Sequence, residues 1–521
     1  MRKWTFIHPF LFALFFILAL YSANVTEVSF RQVVLPIVVV LGSTVLLVTL
    51  AWVDLRDIGK VALAASVLVV LCFSYGHVVN LLPKPAGTGF NFFVPTSGAV
   101  YLIFLLWIAL AGVGLYLIRR SRRDLRNLTS ILCIVGLVLV IIPVISITVH
   151  GIRGATRSQT YQSGLGIELQ VPESLPDIYY IVPDRYASAG ILSQVYGFDN
   201  SEFIDYLCAK GFYVAPDSRS NYHVTEHSLA SSLNMDYLDR LSEEVGESTT
   251  DQGPIYAKLQ DYEVWRLLKS VGYEFVHLGS WWEPTRENKY ADMNINYRGR
   301  LSEFSMLLLR TSVLDPIGTT LRLWGEPRRT QWERVRYKFD KLSQMPEMDG
   351  PKFVFAHFLV PHPEYVFDSD GSFIAPVTQA EVQQKGVEVE EILKGRYIRQ
   401  LEATNSMLMS LIDSLLTNSD TPPIIILQSD EGPYPRESSE SSWSWDKGTP
   451  LEHRQKVEIL NAYYLPGIDT SVLYPSITPV NSFRIVFNMY FGTDLELLAD
   501  RSYICEPGRP YQFRDVTEEV K

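Results

Sequence analysis

Three short apolar runs in this chain each lead into side chains that can hold or move charge. Asp177-Ile178-Tyr179-Tyr180-Ile181-Val182-Pro183 delivers Asp184; Phe353-Val354-Phe355-Ala356 delivers His357 and, five residues on, His362; Ile424-Ile425-Ile426-Leu427-Gln428-Ser429 delivers Asp430 and Glu431. Runs of β-branched and aromatic residues of this length read as buried strands. In open α/β sheets ligands bind beyond the carboxyl ends of the strands, so these five side chains are expected on one rim. Carboxylates gathered there repel one another, and a divalent cation is the usual remedy. Any single strand-end acid is an ordinary cap or turn former; three strands ending alike make the joint case.

A second stretch carries chemistry of another kind. In Ser220-Asn221-Tyr222-His223-Val224-Thr225-Glu226-His227-Ser228-Leu229-Ala230-Ser231-Ser232-Leu233-Asn234, Thr225 opens a small-residue, apolar run that reads as a helix. Unsatisfied N–H groups and the positive end of the dipole favour an anion there. Thr225 is either a plain N-cap or a nucleophile whose oxygen, ionised by a metal, attacks phosphorus or sulfur. His223 and His227 flank it as bases or as surface residues, and the sequence leaves both open.

These residues need an α/β scaffold, and the alternation of patterns supplies one. Strands are expected over 177–182, 273–278, 352–358, 423–428 and 457–464, and helices over 202–210, 256–270, 332–343, 391–416 and 482–490. Such alternation predicts a mostly parallel sheet sandwiched by helices. Residues 177–521 are ample for one large domain, and the polar, Gly/Ser-rich residues 151–176 read as a linker.

The first 150 residues are of a different class. Five stretches near 6–23, 33–52, 61–82, 99–118 and 128–149 read as transmembrane helices, long and apolar enough to cross a bilayer core about 30 Å thick, which takes roughly 20 apolar residues. Arg2, Lys3, Arg56, Lys60, Arg119, Arg120, Arg122, Arg123 and Arg126 fall on one side and Arg31 and Lys84 on the other, which places the N-terminus inside and everything after His150 outside. A signal peptide is the alternative for the first stretch, but bulky Tyr21 sits badly for a cleavage site. Residues 1–150 carry a net charge of +7 and residues 151–521 a net charge of −18. So acidic a soluble part repels polyanions, which argues against nucleic acid as a partner. Four cysteines cannot form a disulfide framework; Cys72 and Cys133 sit in apolar runs, leaving Cys208 and Cys505 as the one pair that could join.

Together the span count and the order of elements from Asp177 to about Gly492 resemble the alkaline phosphatase and sulfatase superfamily, most closely its membrane-anchored branch of lipoteichoic acid synthases and phosphoethanolamine transferases. The early strand-end acid looks like Asp184, the helix-opening threonine like Thr225, the mid-domain histidines like His357 and His362, and the late Asp-His-Gly like Asp430-Glu431-Gly432. The last match departs from the family, which usually has histidine where this chain has Glu431. Glutamate is a harder ligand, so the change tilts the expected site from zinc toward manganese or magnesium, or leaves a site that has lost its metal.

The resemblance implies a phospho-group transferase or hydrolase acting on an envelope lipid or polymer outside the cytoplasmic membrane. In it Asp184, Thr225, Asp430 and Glu431 hold the cation, and His357 or His362 stabilises anionic oxygens or protonates the leaving group. A sulfuric-ester hydrolase and a non-catalytic sulfatase-like envelope protein are the alternatives. Cys505-Glu506-Pro507-Gly508-Arg509 matches the C-x-P-x-R pattern from which sulfatases build a formylglycine, but it lies 321 residues after Asp184 instead of opening the helix after the first strand. No chemical role is apparent for 279–285, 460–467 or 478–484, although these stretches look similar to those of bacterial sulfatase-like membrane proteins; Trp281 and Trp282 read as groove lining or as packing.

Overall fold

A computed structural model describes residues 6–25, 30–79, 98–158, 167, 169–171, 174–297, 301–321, 327–377, 381–382, 388–436 and 444–521. Arg2, Lys3, Lys84 and much of the expected linker lie outside them. The chain forms two compact units.

The first unit is helical: α1 (His8–Ala23), α2 (Phe30–Leu55), α3 (Ile58–Val79), α4 (Gly98–Arg120) and α5 (Arg126–Ser158). Within α2 to α5, four segments of 21 to 24 residues are long and apolar enough to cross a membrane. Helix α1 has 16 residues, which at 1.5 Å each is about 24 Å, shorter than a bilayer core. It is an inner helix: Phe12, Ala13, Ile17 and Tyr21 are buried, and Phe16 stacks on Phe73 at 5.5 Å. By contrast α2 and α4 expose Leu35, Val38, Leu46, Leu50, Leu102, Leu105 and Leu106. An apolar surface of that extent fits lipid and not water. The basic residues gather at one end, where Arg119 pairs with Asp54 at 3.0 Å and Lys60 Nζ donates to the Arg119 carbonyl at 3.2 Å. Helix α5 continues to Ser158, into the expected linker.

Two short helices, Glu303–Arg310 and Asp315–Thr320, also belong to this unit. The span 177–521, expected as one domain, is thus interrupted by a segment that packs with the apolar helices. Nothing in its composition distinguishes it from a core helix of a soluble domain, so the difference is invisible before folding.

The second unit holds a seven-stranded sheet in the order β2-β7-β6-β1-β5-β3-β4, with β1 at 178–183, β2 at 213–214, β3 at 274–278, β4 at 293–295, β5 at 352–358, β6 at 424–428 and β7 at 461–464. Strands β6, β1, β5, β3 and β4 run parallel, while β7 is antiparallel to both of its neighbours. Every residue of β1, β5 and β6 is buried, as expected of strands covered on both faces. Tyr179 and Ile181 point into one core with the long helix Val389–Asn418 and with Pro327–Ser343; Ile178, Tyr180 and Val182 point into the other with Thr225–Asn234 and Pro479–Phe491.

Two expectations change in detail. The helix expected over 256–270 is two, Gly253–Gln260 and Glu263–Ser270, because Asp261 leaves helical geometry and its carboxylate takes a hydrogen bond from Arg266 Nε at 2.8 Å. The strand expected from Val457 starts at Asn461, since a Thr449/Glu452 capping box directs 450–457 into a helix.

Candidate metal centre at the strand tips

β1 lies between β5 and β6, so the three strands that end in acid or imidazole groups are adjacent. Neighbouring strands are about 4.8 Å apart, which brings side chains at their tips within reach of one ion. Asp184, His357 and Asp430, all buried, each offer one ligand atom within 4.8 Å of the others. His357 Nε2 is 3.4 Å from Asp184 Oδ2 and 3.9 Å from Asp430 Oδ2. Tip positions are held by the backbone: Asp184 N donates to the Phe358 carbonyl at 2.8 Å, and Ser429 Oγ accepts from Tyr186 N at 2.9 Å.

The histidine is oriented from behind. Its Nδ1 lies 3.0 Å from Thr285 Oγ1, Thr285 Oγ1 lies 2.9 Å from Ser280 Oγ, and Ser280 Oγ donates to the Trp282 carbonyl at 3.2 Å. Running the protons along this chain assigns the ring hydrogen to Nδ1 and leaves the Nε2 lone pair facing the carboxylates. Burial pushes the His357 imidazole down to about 4, against the opposing pull of Asp430, so the ring is neutral at pH 7. The 279–285 stretch, silent as sequence, thus serves to hold His357 in place. Trp282 adds an edge contact to the same ring at 6.3 Å.

Asp430 is in the harshest position. Burial first, then Asp184 and Glu431, drive its carboxyl well above the usual carboxylate range. Thr225 lies close enough to favour the ionised form, though no hydrogen bond of ordinary geometry joins the two. Among the described residues, both Asp430 oxygens and His357 Nε2 are buried without a hydrogen-bond partner. Orphaned buried polar atoms are costly, and three around one point, all electron-rich, fit a cation.

Thr225 is the first residue of its helix and Val224 is the N-cap, without a side-chain cap. The hydroxyl is therefore not engaged in capping. Beside it the half-buried Glu226 carboxyl is pushed up to about 7, chiefly by burial and further by Glu431. The flanking histidines are not on the surface: His227 Nε2 contacts the Pro510 carbonyl at 2.6 Å, and His223 packs edge-on against Trp445 at 5.0 Å. His362 follows β5 on a loop, its N–H bonded to the Asp184 carbonyl at 3.1 Å; burial and nearby Arg185 hold its imidazole well below the ordinary value.

Glu431 is placed differently from the other acids. Its Oε1 accepts from Arg185 Nε at 3.0 Å and pairs with Lys456 Nζ at 2.7 Å, all three side chains being buried. Both cations lie over the Tyr434 ring, at 4.7 and 3.9 Å. Arg185 adopts a left-handed backbone with φ 63°, an uncommon conformation for this residue type that aims it back at Glu431. Gly432 is required beside it, since a Cβ there would stand 2.1 Å from the Gln455 carbonyl. Both cations pair with Oε1, which leaves Oε2 buried without a hydrogen-bond partner among the described residues; we propose that the pairing keeps Glu431 out of the ligand set. Glu431→Gln is accordingly expected to keep the bound metal while lowering stability by about 3–5 kcal/mol, the cost of stranding buried cations. Metal analysis of the purified full chain beside a thermal melt checks this; loss of metal would return Glu431 to the ligand set.

The remaining stretches support β6. Gln428 Nε2 donates to Asn461 Oδ1 at 2.9 Å, Tyr463 OH at 3.2 Å and Ser482 Oγ at 2.7 Å, so 460–467 and 478–484 brace the strand that presents Asp430. Cys208 is exposed and Cys505 buried, and both are free. The Cys505 thiol is pushed up to about 12 by burial and by Glu226, which makes it a poor nucleophile.

The fold and the site together define an α/β unit with an acid–imidazole–acid centre, carried on a chain with an apolar helical bundle. Among solved structures, the chain is similar to lipooligosaccharide phosphoethanolamine transferase A (EptA) from Neisseria meningitidis, an integral membrane protein, at 14% identity over 93% of this chain and 95% of that one, with a TM-score of 0.41. It is similar to the periplasmic domain of EptC from Escherichia coli, solved in complex with Zn, at 11% identity over 67% and 94% (TM-score 0.43), and to a 2-O GAG sulfatase at 12% over 62% and 72% (TM-score 0.37). No protein-family model and no curated protein matches the sequence. Transferases and sulfatases are the groups named by the sequence resemblance; the functional case rests on the residues of the site.

Proposed function

We propose that this chain is a membrane-anchored, metal-dependent enzyme that transfers or hydrolyses a phospho group of an envelope lipid or polymer outside the cytoplasmic membrane, with Thr225 as nucleophile. The observation that carries the reading is the set of orphaned atoms on His357 and Asp430, beside Asp184 and next to an uncapped helix start bearing a hydroxyl.

Asp184, His357 and Asp430 would hold the ion, and two carboxylates with an imidazole nitrogen suit manganese or zinc better than magnesium, which prefers oxygen throughout. When bound, the ion supplies Lewis-acid stabilisation and a lowered hydroxyl pKa. Thr225 Oγ then bonds to phosphorus as the ester oxygen leaves, giving a phosphothreonine that an acceptor hydroxyl or water resolves. The helix N–H groups after Val224 favour the phosphoryl oxygens. Glu226, its carboxyl raised to about 7, would give the leaving oxygen its proton, and the neutral imidazole of His362 would accept the one that Thr225 releases.

Orientation follows from α5. It begins at Arg126 beside Arg119, Arg120, Arg122 and Arg123, and one crossing by residues 126–149 puts the rest of the chain opposite that basic end, which the positive-inside tendency assigns to the cytoplasm. With α1 counted as a fifth crossing beside the four long spans, the N-terminus is inside.

The test uses purified full chain loaded with manganese or zinc, offered phosphatidylethanolamine or phosphatidylglycerol vesicles and, separately, an aryl sulfate. Release of the phospho-bearing headgroup and an intact-mass adduct on Thr225 are expected. Sulfate turnover alone favours the sulfuric-ester reading, and no turnover by metal-loaded protein favours the non-catalytic one.

A further inference from the structure

The segment 301–321 makes contacts that a water-exposed loop does not make. Gly76 N donates to the Thr311 carbonyl at 3.0 Å and Val313 N donates to the Cys72 carbonyl at 2.7 Å, so the segment splices into the hydrogen-bond ladder of α3. Gly76 permits this approach, since a Cβ there would stand 2.5 Å from the Thr311 backbone. Gly76 and Cys72 lie three and seven residues before Val79, the end of α3. At 1.5 Å per residue the segment therefore reaches about 10 Å inward along the span. Phe304 and Leu308, one turn apart, are buried on a helix that packs against α1 and α2, with Phe304 edge-on to Tyr21 at 6.4 Å.

Its outward side carries large apolar residues beside the exposed Arg310. Leu301, Leu307, Leu314, Ile317 and Leu321 are exposed, the last by 62%. Hydroxyls close the polar groups that water would otherwise satisfy: Thr311 Oγ1 donates to the Leu308 carbonyl at 3.0 Å, Ser312 Oγ to Leu309 at 2.7 Å, Thr320 Oγ1 to Pro316 at 2.7 Å, and Ser302 Oγ accepts from Ser305 N at 3.2 Å. Internal satisfaction of the backbone is what hydrocarbon demands and water does not.

We infer that residues 301–321 form a lipid-embedded insertion, a second membrane element beyond the spans, whose Leu307, Leu314 and Ile317 contact the acyl chains of the leaflet at the α3 C-terminal end. Three observations carry it independently: depth along α3, outward apolar side chains, and hydroxyls turned onto carbonyls. Both flanks of the insertion continue into the α/β unit, so it tethers that unit at a second place in the sequence, far from α5.

The experiment is nitroxide labelling of full chain in phosphatidylcholine vesicles, with the native cysteines replaced and single cysteines at Leu307→Cys or Ile317→Cys. Collisions with dissolved oxygen are expected to exceed those with a water-soluble nickel chelate, as at Val38→Cys on α2 and opposite to a label at Cys208 in a variant that keeps only that cysteine. Either site behaving like Cys208 overturns the inference. In Gly76→Leu, whose side chain occupies the place of the Thr311 backbone, the label at 317 is expected to shift toward the chelate; an unchanged label overturns the docking on α3.

Discussion

Thr225→Ala is expected to abolish turnover, by on the order of 10⁴-fold or more, while leaving the bound metal and the thermal midpoint unchanged. The two halves of that outcome separate a nucleophile from a structural residue. Thr225 caps nothing, since the N-cap is Val224, so its hydroxyl can be removed without loosening the helix. Asp184, His357 and Asp430 offer three ligand atoms within 4.8 Å of one another without it. Initial rates on the phospholipid vesicles, metal content and a melt of the same preparation check it. Activity surviving the substitution would move the role to another hydroxyl, and Ser228 is one turn further along the helix, although it is 1% exposed and faces the core.

Stability data on Glu431→Gln bear on a different question, how the chain tolerates an acid where its resembled family has histidine. A third convergent carboxylate would add to the repulsion on Asp430. Arg185 and Lys456 remove it by pairing with Glu431, and Tyr434 offers its ring face to both cations. In the proposed reading Glu431 is an internally neutralised neighbour of the candidate centre, and His357 would supply the nitrogen donor from another strand.

Much of this was legible before folding, and the rest was not for identifiable reasons. Asp184 and Asp430 are legible together, because three apolar runs ending in acid or imidazole groups make a joint case that no single strand-end acid makes. The order of the strands is not written locally: β1 falls between β5 and β6 only through crossovers, and that adjacency is what puts His357 in the donor group and not at its edge. Arg185 follows Asp184 directly, yet its partner is 246 residues away, and nothing in the pattern of Pro450–Val457 marks Lys456 as that partner's second cation. Thr285 and Ser280 sit in an aperiodic loop, where no spacing rule applies. The segment 301–321 reads as an apolar core helix because lipid and protein interior select the same side chains.

Removing the divalent ion is expected to destabilise the full chain by about 3–5 kcal/mol near neutral pH, the scale of an uncompensated buried charge, and to do so more as pH rises. Burial, then Asp184 and Glu431, raise the Asp430 carboxyl well above its ordinary value of 3.8. In ion-free protein the folded state therefore binds a proton that the unfolded chain releases. That contribution is complete below the ordinary carboxylate range and is lost as pH climbs through the raised value, so stability falls with increasing pH. A bound cation takes the proton's place and flattens the dependence. Asp430→Asn carries its neutrality permanently, and its ion-free form should lose little between mildly acidic and mildly alkaline buffer. Thermal midpoints of wild type and Asp430→Asn, each with and without chelator across that range, decide the matter. A wild-type midpoint that a chelator leaves unmoved at every pH would mean that the tips of β1, β5 and β6 hold no ion, and the reading of Thr225 as an activated nucleophile would go with it.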